Sequence, residues 1–174
     1  GFTIPFAAPV YDASGNIMAV WVNFADFGLV EDIIKDFYAK QKEAGMPDNA
    51  FAIQDKDGLA LVNFDPAVQK TENYVRNTAE IGVKKLVDLE IPAADVSVVQ
   101  KTGHKLEVDQ NSGEADAAGW SHTDGALGFD GMGWVVINHE PADELNGDIV
   151  STKHLLDVII IIAAIRSEER RVGK

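Results

Sequence analysis

The three side chains of a nucleophilic triad occur close together at Ser121, His122 and Asp124. In such a triad the imidazole faces the hydroxyl, and the carboxylate orients the imidazole. Adjacent residues of a strand point to opposite faces of the sheet, so we expect Ser121 and His122 to diverge. The chain also lacks the Gly-x-Ser-x-Gly elbow of many hydrolases. We therefore predict that the chain has no catalytic residue. The alternative hypothesis is that the chain is a soluble acidic hydrolase.

Oxygen ligands that suit calcium are present at Asp55 and Asp57, just before Gly58. An EF-hand loop needs a third ligand before its glycine and a glutamate at its end, and both are missing at the required offsets. This run is typical of a hairpin turn instead. Zinc is not predicted because the chain has no cysteine and its four histidines are scattered: His104, His122, His139 and His154. We predict no metal and no cofactor, and we interpret His139 and His154 as surface residues.

An aromatic side chain beside an amide can form the wall of a ligand pocket. Trp21 and Asn23 are two residues apart in a predicted strand and therefore share one face. Asp26 follows a short distance beyond them. The alternative interpretation is a core tryptophan with an asparagine at the sheet edge.

A second candidate wall surrounds a loop rich in glycine. Trp120 and Trp134 flank this loop, and Phe129 lies within it. We interpret these aromatic residues as anchors that hold the loop on the core, and a ligand-binding wall is the alternative. The candidate ligand-binding residues are thus Trp21, Asn23, Asp26, Trp120 and Phe129.

Three hairpins are predicted to position these side chains. In each, Asp, Asn or Ser leads into a glycine between two apolar runs. The hairpins cover residues 6–23, 50–63 and 104–120, and a further strand covers residues 134–138 after the glycine-rich loop.

Two amphipathic helices are predicted between the hairpins. Residues 28–44 carry their apolar side chains on one stripe, and Gly45 and Pro47 end the helix. Residues 72–89 also repeat apolar side chains at helical spacing before Pro92. Antiparallel hairpins with single helices between them predict an α/β chain of the α+β type, in which helices flank an antiparallel sheet.

The charge balance excludes one class of partner. The 174 residues include 28 Asp and Glu against 15 Lys and Arg, which gives a formal net charge of -13. Such a surface repels phosphate backbones, so nucleic acid is not an expected partner. The hydrophobic content of 46% is enough to build a buried core in a chain of this length.

The C-terminal part predicts a membrane anchor. A helix is expected to begin near Pro141 and to continue into the apolar run 155–165, with residues 144–165 as the element that transmits a signal. A bilayer requires about 20 apolar residues, so we interpret this run as a truncated transmembrane segment. Residues 166–174 resemble a translated sequencing adapter, and we expect them to be non-native. The opening of the chain, which lacks an initiator methionine, is expected to be the middle of a longer protein.

Four segments in this order resemble a double Cache domain, the PAS-like sensor of bacterial methyl-accepting chemotaxis receptors. They read Ala8-Pro-Val-Tyr-Asp-Ala-Ser-Gly-Asn16, Asp55-Lys-Asp-Gly58, Asn63-Phe-Asp-Pro66 and Gly125-Ala-Leu-Gly-Phe-Asp-Gly-Met-Gly-Trp134. The resemblance implies that residues 1–34 are the C-terminal part of a membrane-distal subdomain and that residues 35–47 are the end of a linker helix. Residues 48–141 would form a membrane-proximal PAS-like subdomain. Residues 142–165 would form an exit helix and a truncated transmembrane segment, followed by the tail at 166–174.

The resemblance also implies a function. It implies a domain that senses a small molecule on the periplasmic or extracellular side of a chemoreceptor in the inner membrane. The resemblance also implies that the receptor is a homodimer, that its C-terminal helix anchors it in the membrane and that this domain has no catalytic activity. A sensor histidine kinase or a diguanylate cyclase is the alternative receptor. Cache subdomains that bind amino acids carry an acidic residue near the end of the strand that matches 17–23, where this chain has Asn23 and Phe24, so an α-amino acid is not implied.

Overall fold

Strands dominate the part of the chain that the computed structural model describes, which comprises residues 2–71, 73–109, 113–125 and 129–145. The elements in chain order are β1 (Thr3–Tyr11), β2 (Ile17–Asp26), α1 (Gly28–Glu43), β3 (Ala50–Gln54), β4 (Ala60–Phe64), α2 (Pro66–Gln69), a 3-10 helix (Leu86–Leu89), α3 (Ala94–Val99), β5 (Thr102–Val108), β6 (Ala115–His122), β7 (Val135–Pro141) and α4 (Ala142–Leu145).

The central feature is a five-stranded sheet with the order β4-β3-β7-β6-β5, in which every neighbouring pair is antiparallel. One face carries Phe51 and Ile53, and α1 covers it with Ile34 and Tyr38. The opposite face carries Ile137 and Trp120, and residues 81–96 cover that face. The chain is therefore of the α+β type with an antiparallel sheet, as the sequence predicts.

A separate two-stranded sheet is formed by β1 and β2. The Asp12 carboxylate accepts hydrogen bonds from the backbone N–H groups of Ser14 and Asn16, at 2.8 and 2.9 Å, and Gly15 supplies the positive φ of 86°. The predicted first hairpin is thus confirmed. Its apolar side chains are exposed on both faces, with Trp21 at 69% and Phe24 at 65% exposure.

The other two predicted hairpins are also present. Asp55 Oδ1 accepts hydrogen bonds from the N–H groups of Asp57 and Leu59, so this aspartate shapes the β3–β4 turn as predicted. β5 pairs with β6 from Thr102 to Val108. The middle of their predicted turn, residues 110–112, lies outside the described residues.

The predicted helix over residues 72–89 is wrong. Residues 74–77 are irregular, residues 78–83 form turns, and only Leu86–Leu89 forms a short 3-10 helix. The backbone pairs with β4 instead, because Gly82 N–H donates to Ala60 O and Ala60 N–H donates to Lys84 O. These contacts bury Leu86 completely in the sheet core, so tertiary hydrogen bonds outweigh helical periodicity here.

Helix α1 matches its prediction within one residue, but its apolar residues divide into two groups. Ile34 and Tyr38 are buried, whereas Leu29 and Ile33 are 68% and 66% exposed. The outward side chains therefore form a second apolar stripe that the five-stranded sheet does not cover.

Helix α3 was not predicted, and β3 holds it in place. The buried Gln54 side chain donates hydrogen bonds to Ala94 O at 3.0 Å and to Ser97 Oγ at 2.7 Å. At the other end of the chain, α4 begins one residue after the predicted start, and the predicted transmembrane run 155–165 lies outside the described residues. None of the helices within the described residues is long and apolar enough to cross a membrane.

Candidate ligand-binding site

The polar centre of the five-stranded sheet is a pair formed by His139 on β7 and Asp116 on β6. His139 Nδ1 lies 2.8 Å from Asp116 Oδ2, and each side chain is only 7% exposed. His139 pairs across the strands with Ala118, two residues from Asp116, so the two side chains lie diagonally on the same face. The interpretation of His139 as a surface residue is therefore wrong.

A cavity of about 160 Å³ opens beside this pair. Within the described part of the chain, its polar lining comprises five acidic residues and one histidine, namely Asp48, Asp65, Asp109, Glu114, Asp116 and His139. The remaining lining residues are small or apolar: Ala50, Ala67, Val68, Ala115 and Pro141. We take this cavity as the candidate ligand-binding site and call it the acidic pocket.

Local hydrogen bonds place the carboxylates at the rim of the acidic pocket. Asp65 caps α2 and accepts a hydrogen bond from Val68 N–H at 3.0 Å, which holds the start of this helix against the cavity. Asp109 N–H donates to Glu114 O at 2.9 Å, so the end of β5 and the start of β6 bring their two carboxylates to the same rim.

Asp116 is the most enclosed of the five carboxylates. The residue is 5% exposed, and its Oδ1 is buried without a hydrogen-bond partner. A buried polar atom without a partner costs about 1–3 kcal/mol. A donor brought by a ligand would satisfy this oxygen.

A second buried polar pair lies on the opposite face of the same strands. Asn49 Nδ2 donates to Glu140 Oε2, and both residues are about 1% exposed. Sequence reasoning missed this pair as well as the acidic pocket. The available signal was the run Asn138-His139-Glu140, in which three polar residues follow the apolar run Val135–Ile137 of the same strand.

Three of the predicted ligand-binding residues are associated with one face of the β1–β2 hairpin. Trp21 pairs with Ala8 and Asn23 with Phe6, so these side chains share a face. Phe129 contacts Phe6 edge to face, with 6.1 Å between ring centroids. The face is open, because Trp21 and Asn23 are exposed and Phe129 is 49% exposed.

The other two predicted residues lie elsewhere. Asp26 is on the opposite face of the hairpin, where its Oδ1 accepts a hydrogen bond from Gly28 N–H at the start of α1. Trp120 is 6% exposed in the sheet core, and its indole N–H donates to Gln100 O at 3.0 Å. The five residues therefore do not form a single cavity, and a ligand-binding role for them stays a prediction.

The triad-like residues diverge as expected. His122 Nε2 lies 2.7 Å from Ser97 O on the face with Trp120, whereas Ser121 is on the opposite face. Asp124 forms an ion pair with Lys101 at 2.8 Å, and this pair lowers the pKa of the aspartate. Among the described residues, no group of three or more acidic or histidine side chains could hold a metal ion.

Comparison of the sequence with protein-family models and with curated proteins finds no match. Solved structures do match. The extracellular domain of a predicted histidine kinase, mmHK1S-Z3, has a TM-score of 0.57 at 10% identity, over 86% of this chain and 48% of that chain. The corresponding domain of mmHK1S-Z2 has a TM-score of 0.54 at 13% identity, over 82% of this chain and 47% of that chain.

A third similar structure, an extracellular ligand binding receptor from Desulfohalobium retbaense DSM5692, has a TM-score of 0.46 at 16% identity, over 79% of this chain and 19% of that chain, and supports no inference. The chain spans about half the length of the two kinase domains it matches. The α+β fold predicted from the sequence is thus shared with the extracellular domains of these two predicted histidine kinases.

Proposed function

We propose that the chain is the extracytoplasmic input region of a transmembrane signalling receptor, and that it binds a small molecule in the acidic pocket. One observation carries this proposal. The pocket is lined by His139 and Pro141 of β7, and α4 begins at the next residue, Ala142. A ligand in the pocket would therefore contact the strand that continues directly into the C-terminal helix.

The signalling mechanism follows from this connection. A ligand that binds two conformations with different affinity shifts their populations by that difference in free energy. A difference of about 1.4 kcal/mol changes the population ratio tenfold. Movement of β7 would then displace the exit helix, which is the role predicted for residues 144–165.

The receptor class is the next part of the proposal. A chemoreceptor, as the resemblance implies, would respond through a cytoplasmic methyl-accepting region. A sensor histidine kinase is the second candidate, because the two solved structures with the higher TM-scores are extracellular domains of predicted histidine kinases. In either case we propose a homodimer anchored in the inner membrane by its C-terminal helix.

The β1–β2 hairpin supports a two-subdomain arrangement. A two-stranded sheet alone is marginal in water, and this one exposes large apolar side chains on both faces. The similar extracellular domains are about twice as long as the matched part of this chain. We propose that residues 1–34 complete a second subdomain that covers the hairpin and that residues 48–141 form the membrane-proximal subdomain.

The test is a thermal-unfolding screen of the whole chain against small metabolites of positive, negative and zero charge. A ligand present at one hundred times its Kd stabilises the folded state by about 2.7 kcal/mol, which raises Tm by several degrees. Ala67→Trp should abolish the shift, because Ala67 lines the pocket and the larger tryptophan side chain would occupy the space of the ligand. Ala67 is exposed, so the variant should still fold.

Val99→Trp is the matched control, since Val99 is 80% exposed and outside the pocket. A shift that survives Ala67→Trp would place the ligand elsewhere and contradict the proposal. Ester or phosphate hydrolysis that disappears in Ser121→Ala would favour the hydrolase alternative.

A further inference from the structure

We infer that the acidic pocket selects a small organic cation, an alkylammonium compound without a carboxylate. The inference deepens the proposed function and rests on it. It is based on three features of the pocket. Its lining is acidic, one oxygen of a buried carboxylate has no hydrogen-bond partner, and the cavity is small.

The first step is the charge of the lining. Among the residues that the structure describes, the lining includes five acidic residues and neither lysine nor arginine. Charges of one sign in a cleft with low-dielectric walls concentrate ligands of the opposite sign. An anionic ligand would meet repulsion from the rim residues Asp65 and Glu114 before reaching the interior.

The second step is the buried end of the pocket. One oxygen of Asp116 is bonded to His139, and the other, Oδ1, is buried without a partner. An ammonium group supplies three N–H donors and no acceptor, so it fits an oxygen of this kind. Hydrogen bonds between charged groups are roughly twice as strong as neutral ones, which makes Asp116 the expected contact for the cationic head.

The third step concerns the kind of cation, which we infer to be organic and not a metal ion. The described residues include no group of three or more side chains arranged to hold a metal. Beside the carboxylates, Ala50, Val68 and Ala115 offer an apolar wall that suits methylene groups. A cation with a short alkyl chain would therefore satisfy both parts of the lining.

The fourth step is size. The acidic pocket has a volume of about 160 Å³. Pockets for drug-sized ligands are larger, about 300 to 1,000 Å³. The ligand class is thus a compact amine. An α-amino acid fits poorly, because the described part of the lining offers no lysine or arginine to its carboxylate.

The experiment is calorimetric titration of the whole chain with three probes of similar shape, n-butylamine, n-butanol and butyrate. We expect binding of n-butylamine and no measurable binding of the neutral or anionic probe. The affinity for n-butylamine should fall as salt concentration rises, because rim charges are screened by ions. Equal affinity for n-butanol would overturn the inference, since it would show that apolar contact alone causes binding.

Two pocket variants test the contacts. Asp116→Asn should weaken n-butylamine binding at least tenfold, the loss expected for a hydrogen bond to a charged group. Glu114→Gln at the exposed rim should weaken it about threefold, through loss of long-range attraction. Glu114→Gln keeps the test valid if Asp116→Asn fails to fold, because Glu114 is exposed.

Asp88→Asn is the matched control. It removes one negative charge from an exposed position outside the pocket, so the Kd for n-butylamine should stay unchanged. A loss equal to that of Glu114→Gln would show that total charge, and not the pocket, attracts the amine, and would overturn the inference.

The outcomes also separate this inference from the proposed function. If a neutral or anionic metabolite raises Tm and Ala67→Trp abolishes the shift, the cation inference fails and the sensing proposal stands. If no compound of any charge raises Tm, both fail.

Discussion

At the scale of single residues, one glycine determines how the core tryptophan packs. A Cβ atom at Gly103 would lie 2.3 Å from Trp120 Cζ2 and 2.9 Å from Cε2. The indole therefore occupies the space above β5 that a side chain would otherwise fill. The same ring donates its N–H to Gln100 O, so it cannot turn aside without losing this hydrogen bond.

We expect Gly103→Ala to lower the free energy of unfolding by about 1–3 kcal/mol, the usual cost of overpacking a core. Urea denaturation followed by tryptophan fluorescence measures this loss. Gly119→Ala is the control, because its nearest contact would be Gly103 O at 4.0 Å. Equal losses in the two variants would contradict the packing explanation.

Tyr74 gives a prediction about alkaline pH. Burial and the neighbouring Glu31 carboxylate raise the pKa of Tyr74. The folded state therefore favours the neutral phenol, and its contribution to stability is complete below the ordinary tyrosine pKa of about 10. That contribution is lost as pH rises above this value.

We expect Tyr74→Phe to reduce the fall in stability between about pH 9 and about pH 11. The measurement is urea denaturation at several pH values in this range. Tyr11→Phe is the control, since Tyr11 is 56% exposed. An alkaline slope identical to that of the unmodified chain would show that burial of Tyr74 does not influence unfolding.

At the scale of elements, an ion pair fastens α1 to the turn segment that follows α2. Arg76 Nε and Nη2 donate to the two carboxylate oxygens of Glu31 at 2.6 and 2.7 Å. The guanidinium also lies 5.6 Å from the ring centroid of Phe2, which precedes β1. Three separate parts of the chain therefore meet at Arg76.

Arg76→Gln is expected to lower the free energy of unfolding by about 1–3 kcal/mol, because a charge-assisted double hydrogen bond is lost at a mostly buried position. A double-mutant cycle with Glu31→Gln would measure the coupling. Lys35→Gln is the control, as the Lys35–Asp32 pair is exposed and should contribute nothing measurable. A coupling energy of zero for Arg76 and Glu31 would contradict the expectation.

The elements also show what the sequence could and could not predict. The first two hairpins were predictable because Asp12 and Asp55 fix their turns through contacts within four residues. The structure of region 72–89 was not predictable from the sequence. Its backbone forms hydrogen bonds with β4, and the periodicity of apolar residues contains no information about such distant partners. The acidic pocket was hidden for a related reason. Its residues come from positions 48 to 141, and only the sheet register brings them together.

At the scale of the whole molecule, the hairpin and the five-stranded sheet differ in how they bury apolar surface. The five-stranded sheet has a covered core on each face, whereas the hairpin leaves Met18 and Val20 at 68% and 60% exposure. Large exposed apolar patches mark interaction surfaces. The distribution fits the proposal that the hairpin packs against a further subdomain.

We expect the chain alone to self-associate through the hairpin. Phe24→Thr should lower the average mass measured by light scattering at high protein concentration, because it removes a side chain that is 65% exposed. Leu106→Thr on β5 is the control, with a similar exposure of 72%. A chain that is monomeric at every concentration would count against the hairpin as an interface.

Pro141 is the last residue of β7, lines the acidic pocket and directly precedes α4. A proline ring fixes φ near −65°, so this joint has one backbone rotation fewer than any other residue would allow. Because φ of Pro141 is fixed, a change in the direction of β7 is less easily compensated by rotation at this residue. If β7 moves on ligand binding, as proposed, a small displacement of its end would therefore also change the direction of α4.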